Sequence, residues 1–298
     1  MANNTLSGMK RREALTGYLF IAPTVLGILI FTAGPVLVSI GLSFFKWNVF
    51  SDPIYIGFDN FSRLFSDQEA ITSFYNTIKF VVMSVSLNIV VGMLLAVGVN
   101  NIRNKYLKGY FRVAYFMPLI SGGTIAIVMS YMFHKDLGAV NYYLTQLNIP
   151  SIPWLTSPYW SLITVVLVSV WQVTGYNFIL FTGALQNIPR DVQDAADVDG
   201  AHGFTRLWYV TLPMVSPSIF FAAVTGVMGG LQLFDIPYIL TRGGPGDSTR
   251  TVVMIIQQAA FNNLEIGYGA SMAVILFLLI MIVTLIQFRL SKSWVFYQ

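Results

Sequence analysis

Ser169, Gln172 and Tyr176 fall three and four residues apart inside a long apolar run. A helix there carries a hydroxyl, an amide and a phenol on one face, with Asn177 beside them. Such groups donate and accept hydrogen bonds without bearing charge, which suits a solute rich in hydroxyls. A second run offers Gly229 and Gly230, where a backbone or a solute can come close, then Gln232, Phe234 and the carboxylate of Asp235. Asp235 is the one acid read as lying within an apolar run, and an ionisable group in that setting marks a functional position by default. Ser121 and Thr124, on either side of Gly122-Gly123 and just after Pro118, form a smaller third group. Tyr176 and Phe234 add ring faces for the apolar edges of a sugar. A phosphate ester would need Arg or Lys here, and only Lys79, at the border of a run, comes near. A neutral polyol or sugar is therefore favoured over an organic phosphate. Polar contacts that hold helices together use the same residue types, so on the sequence both readings stand.

Other kinds of chemistry lack their parts. The 298 residues contain no cysteine, which removes disulfides, thiolate nucleophiles and Cys-ligated metals. His134 and His202 are far apart with no metal-ligating cluster around either, so no metal site is expected. No nucleophile stands beside a base, and no Gly-x-x-x-x-Gly-Lys-Ser/Thr sequence is present to cradle ATP phosphates. The expectation is no catalytic residue and no resident cofactor. If ATP drives this protein, another subunit binds it. The net charge of +4 comes from loops and argues against a nucleic-acid surface.

The elements that must position these groups are membrane spans. Charged residues make up 10% of the chain and hydrophobic ones 55%, with mean hydropathy +0.67; a soluble domain carries roughly 25% charged residues. Six stretches are long and apolar enough to cross the hydrocarbon layer, about 14–43, 73–99, 113–133, 159–185, 215–240 and 267–289. Each is predicted helical, because a strand edge in lipid leaves backbone groups unpaired. The expected fold class is all-α, a single polytopic transmembrane domain over residues 1–298. Pro23 and Pro35 should bend the first span, and Pro118 with Gly122-Gly123 the third. Lys10, Arg11 and Arg12 precede the first run as in a signal peptide, but no small-residue cleavage site follows, so the run reads as a retained span.

Basic residues set the orientation. With the N-terminus inside, the cytoplasmic segments hold 11 of the 17 Lys and Arg, with the bias sharpest around the first two spans. Both termini are expected in the cytoplasm, together with loop 187–214. Outside, residues 46–72 are long enough for a small cap, Leu137 to Leu147 reads as a short helix, and Thr241 to Pro245 is a rigid turn cluster.

Loop 187–214 has a pattern of its own. Asp191, Asp194, Asp197 and Asp199 put four acids in nine positions. Pro189-Arg190 opens a short helix, Asp199-Gly200 ends it in a sharp turn, and an amphipathic stretch runs on to Leu212-Pro213 and Ser216-Pro217. Helix, corner and helix make a compact knob, fit for docking on another protein or for merely connecting two spans.

The run Asp194-Ala195-Ala196-x-x-Asp199-Gly200-Ala201, with Leu212-Pro213 and Pro217 behind it, resembles the EAA loop of permease subunits of bacterial ABC importers. Asp194 stands where Glu is commonest there, and Leu207 where Phe is usual. Leu240-Thr241-Arg242-Gly243-Gly244-Pro245 is similar to the LTxGGP signature of carbohydrate-type permeases, and Tyr268-Gly269-Ala270-Ser271 to the pattern opening their last span. The resemblance is to inner-membrane permeases of the maltose- and glycerol-phosphate-transporter type. It implies that Asp194, Ala195, Ala196, Asp199, Gly200, Ala201, Leu207, Leu212 and Pro213 belong to a coupling element that docks on an ATP-hydrolysing subunit. It also places Tyr176 where a solute-contacting tyrosine lies in the maltose-type permease. The implied partners are a second, often non-identical permease, two ATPase subunits that bind ATP and Mg, an external solute-binding protein and the bacterial inner membrane. The expected function is that of a permease subunit in an ATP-driven sugar importer. The alternatives are organic-phosphate import, a stand-alone secondary transporter or channel, and a membrane enzyme. Missing intramembrane ion pairs count against the transporter, and the lack of a catalytic cluster counts against the enzyme.

Overall fold

The computed structural model describes residues 2–102, 104–120 and 122–296; Ser121 therefore lies outside the described residues. Helix α1 (Ala2–Ile28) runs through a π-helical turn (Leu29–Ala33) into α2 (Gly34–Leu42). Pro35 has no N–H to donate, and just before it the ladder slips a register, with Gly34 N–H reaching back to the Leu29 carbonyl. A two-stranded antiparallel hairpin follows, β1 (Phe45–Lys46) and β2 (Ile54–Tyr55), with Phe45 opposite Tyr55. With α3 (Asp59–Ser66) it forms the cap expected over 46–72. This hairpin is the departure from an all-helical chain among the described residues.

Helices α4 (Gln68–Asn100) and α8 (Pro158–Gln186) are the central pair. Asp67 starts α4 by accepting hydrogen bonds from the Glu69 and Ala70 amides. Phe80, Val81, Val165 and Val168 fill one buried cluster, and Met93, Ala96, Phe178 and Phe181 another. In lipid such contacts stabilise by close packing and not by escape from water, so small residues matter where helices cross. At Gly92 a Cβ would stand 2.8 Å from the Asn177 Cβ.

The expected third span is divided. It consists of α5 (Lys105–Phe116), a 3-10 turn (Met117–Ile120) and α6 (Gly122–Met132), with Pro118 in the turn where a helical donor is missing. Helix α5 crosses α8 at Gly175, where an added Cβ would overlap the Tyr115 carbonyl oxygen and come within 2.9 Å of the Phe116 Cα. We expect Gly175→Ala to destabilise the chain by about 1–3 kcal/mol, as overpacking does, read as a lower melting temperature in detergent. The short helix expected from Leu137 to Leu147 is α7 (Ala139–Gln146). The buried Asn141 ties its surroundings, donating to the Lys135 and Ile152 carbonyls and accepting from the Trp154 indole at 2.9 Å.

Loop 187–214 forms α9 (Arg190–Val198), α10 (Gly203–Arg206), a π-helical turn (Leu207–Thr211) and α11 (Leu212–Met214). The helix Gly203–Met214 then meets α12 (Ser216–Leu231) at a bend of 68°. Helix α12 stops at Leu231 and the chain resumes as α13 (Asp235–Thr241), so the stretch 215–240 is not one helix but is interrupted at 232–234. Helix α14 (Val252–Gln257), a π-helical turn (Gln258–Asn262) and α15 (Ile266–Ser291) complete the chain. Among the described residues, Glu13–Leu42, Gln68–Asn100, Pro158–Gln186 and Ile266–Ser291 are long and apolar enough to cross a membrane, and the bent pair would make a fifth span.

Candidate functional site

Between α4, α8 and α12 lies a cavity of ≈ 270 Å³. Ser169, Gln172, Tyr176 and Asn177 line it from α8, and Gly226, Gly229 and Gly230 from α12. Helical period explains the first set: residues three and four apart share a face, and α8 turns that face inward. The third wall, α4, contributes Phe80, Ser84, Val85 and Asn88. Nothing in the lining is charged.

The polar groups differ in what they have left to offer. Ser169 donates its proton to the Val165 carbonyl at 2.7 Å and Thr225 to that of Phe221 at 2.8 Å, so both can only accept more. Asn177 donates to the Asn88 side-chain oxygen at 2.9 Å in a buried bond between helices. That bond uses one group of each amide, and the Asn88 Nδ2 and Asn177 Oδ1 are left for other partners. Among the described residues, the Gln172 amide and the Tyr176 hydroxyl make no hydrogen bond within the chain. An array of unspent amide and phenol groups around an uncharged cavity can hold a hydroxylated solute.

The remaining path residues lie elsewhere. Gln232 is exposed in the break after α12, and Phe234 stacks on Tyr238 with ring centroids 4.9 Å apart. Asp235 is exposed in the first turn of α13, where a carboxylate complements the helix N-terminus. Thr124 is exposed on α6. None of these four lines the cavity. Ser84 and Asn88, in contrast, were missed by the sequence reading. Their signal was present: Ser73, Thr77, Ser84 and Asn88 repeat at helical intervals along a stretch that otherwise reads as lipid-soluble, and all four are buried.

At one end the cavity meets Leu233 and Ile236, at the interruption between α12 and α13. The segment 241–252, which contains the glycine-proline cluster, straps this break to α4. Thr251 donates to the Leu233 carbonyl at 2.9 Å, Val252 N–H donates to the Thr77 hydroxyl at 3.0 Å, and Asn76 donates to the Asp247 carbonyl at 2.6 Å. Backbone groups freed by the break thus find partners without water.

Further out, Arg63 forms a two-pronged pair with Glu265 at 2.8 and 2.9 Å and lies 3.9 Å from the centre of the Tyr268 ring. The Tyr268 hydroxyl donates to Asp67 at 2.6 Å. The hydrogen bond to Glu265 pushes the Arg63 pKa above its ordinary value, against a desolvation that lowers it. The pair is about half exposed, so it contributes about 1 kcal/mol or less; its effect is to fix the cap to the start of α15.

On the opposite end of α8 stands the elbow. Helix α9 closes with the Ala201 N–H bonded to the Ala196 carbonyl and the Gly200 N–H to that of Asp197, while Gly200 has φ +72°. That pairing is a Schellman termination, whose left-handed position favours glycine. Ala196 is buried against the body, whereas Asp194, Ala195, Asp199 and Pro213 are exposed, and Ala201, Leu207 and Leu212 are half-buried. Arg206 pairs with Asp197 at 2.6 Å and so braces the second helix against the first. The elbow also exposes apolar side chains: Val198, Phe204, Trp208 and Tyr209 are each more than half accessible, and Phe204 stacks on Trp208. The aromatic spacing of four residues at 204 and 208 was a signal for this patch in the sequence.

Comparison with known proteins identifies the family and the fold. Residues 88–295 match the family described as "Binding-protein-dependent transport system inner membrane component". The probable ABC transporter permease protein YesP of Bacillus subtilis (strain 168) is 34% identical, over 100% of this chain and 99% of its own. The lactose transport system permease protein LacF of Rhizobium radiobacter is 34% identical over 98% of this chain and 99% of its own. A crystal structure of a bacterial ABC transporter involved in import of the acidic polysaccharide alginate contains a chain of the same fold, with TM-score 0.83 and 22% identity over 97% of this chain and 99% of that one. The family match covers most of the chain and the relatives match end to end, so this protein belongs to the binding-protein-dependent transport system inner membrane components, as a non-catalytic permease subunit.

Proposed function

We propose that the chain is one permease of an ATP-driven importer for a neutral sugar or glycoside, crossing the inner membrane six times with both termini in the cytoplasm. A second permease completes the translocation path, an external solute-binding protein delivers the sugar, and two ATPase subunits supply ATP and Mg chemistry in trans. The exposed aromatic elbow enters a groove on the ATPase in the manner of helix-in-groove recognition. Closure of the ATPase pair moves the permeases as rigid bodies, and the two transport states are populated according to how well each is stabilised.

The observation that carries the solute class is the lining of the cavity: unspent amide and phenol groups with no side-chain charge. An anionic solute would need a compensating cation, whereas hydroxyls are satisfied by neutral donors and acceptors. The lactose permease among the relatives is consistent with a sugar. The test is uptake by proteoliposomes that hold the whole complex, offered neutral disaccharides and, separately, a uronate or a sugar phosphate. ATP-dependent uptake of a neutral sugar, absent when the ATPase is left out, is the expected result. Transport by the purified chain alone, or preference for the anionic solutes, would overturn the reading.

A further inference from the structure

The 68° bend between Gly203–Met214 and α12 is the joint through which any motion of the elbow reaches the cavity wall. Its backbone is broken by proline. Pro217 has no N–H, so the carbonyl of Pro213, four residues earlier, loses its helical donor. The Ser216 hydroxyl fills that place, donating to the Pro213 carbonyl at 2.6 Å. The same oxygen accepts a second bond, from the backbone N–H of Phe296 at 2.9 Å. Ser216 is 3% exposed, so neither bond has water as a ready substitute.

The partner of that second bond belongs to the segment after α15. Trp294 packs edge-on against Phe220 of α12, and Phe220 against Phe288 of α15. One hydroxyl therefore joins the elbow helix, the start of α12 and the C-terminal segment. Beside it a cavity of ≈ 250 Å³, walled by Asn187, Ile188, Met214, Pro217, Ser218 and Phe296, leaves the joint unpacked on the α8 side. Val215 packs the bend on its other side, buried with Met93, Phe178 and Phe181, and the hydroxyl bridge spans the side left open by the cavity.

We infer that Ser216 is a positioning residue for energy coupling: its two hydrogen bonds lock the elbow to α12 and to the C-terminal segment, so that displacement of the elbow is delivered to Gly226, Gly229 and Gly230 on the cavity wall and is not absorbed at the joint. This rests on the reading of the elbow as the ATPase-docking element.

The experiment uses the complete reconstituted complex and measures sugar moved per ATP hydrolysed, with the amount of ATPase that co-purifies recorded for each sample. Ser216→Ala removes both bonds, and a chain ending at Val295 removes the Phe296 donor together with that residue's side chain while keeping the bond from Ser216 to Pro213. Each should lower the sugar-to-ATP ratio by about five-fold or more while the ATPase still co-purifies, and Ser216→Thr should restore most of it. A role in folding alone would change the yield of complex and leave the ratio where it was. The inference is overturned if the shortened chain and Ser216→Ala keep the wild-type ratio, or if Ser216→Ala loses its ATPase while the shortened chain transports normally. Failure of the docking reading has a different signature, because a distorted elbow would then retain both ATPase and uptake.

Discussion

Gly200→Val should abolish sugar uptake while the chain remains in the membrane. Gly200 closes α9 at φ +72°, and an added Cβ would meet no atom within 4 Å, so the obstacle is the backbone conformation and not a clash. An L-residue in the left-handed region costs about 1–2 kcal/mol, and a β-branched one is still less suited to it. At about 2 kcal/mol the intended corner would be formed some 30-fold less often relative to alternatives. The two bonds that end the helix, from Ala201 to Ala196 and from Gly200 to Asp197, would go with it. Val198 and Phe204, which flank the corner, could then no longer present a common surface. Gly200→Asn is the control, since asparagine tolerates this conformation and should keep most of the activity. The measurement is uptake in intact cells alongside co-purification of the ATPase. Wild-type uptake in the valine variant would remove the elbow from the mechanism.

The corner was legible in the sequence because aspartate, glycine and proline leave the backbone few choices. The α8 face was legible for a similar reason: Ser169, Gln172 and Tyr176 are polar residues in an apolar run, and only a helix puts them together. The α4 wall was not read, although Ser84 and Asn88 follow the same period. Their neighbours are apolar enough to satisfy any criterion for a lipid-facing span, and which side of a span meets protein depends on contacts between helices that no local pattern contains. The interruption at 232–234 was not read, although Pro237 deprives the Leu233 carbonyl of its helical donor and Gly229-Gly230 weaken the helix before it; what the sequence does not contain is the partner that takes the donor's place, Thr251 reaching the Leu233 carbonyl. Asp235, read from sequence as an intramembrane carboxylate, stands in the structure as an exposed group in the first turn of α13.

Gly229→Leu should stop transport without harming the fold, and the contrast with its neighbour makes the test specific to the cavity. Both glycines line the cavity on α12. At Gly229 an added Cβ meets nothing within 4 Å, whereas at Gly230 it would stand 2.9 Å from the Val81 Cγ2. A leucine at 229 therefore projects into space that a solute is proposed to use, and replacing glycine inside a helix adds stability of about 0.5–1 kcal/mol. A leucine at 230 must push α4 away from α12, at a cost of about 1–3 kcal/mol. The expected outcome is opposite shifts in melting temperature, upward or unchanged for Gly229→Leu and downward for Gly230→Leu, with uptake lost in both. ATP hydrolysis by the Gly229→Leu complex should continue, because the elbow and its joint are untouched. If Gly229→Leu transports at the wild-type rate, the path of the solute does not pass between α4, α8 and α12, and the bond between Asn88 and Asn177 serves only to hold helices together.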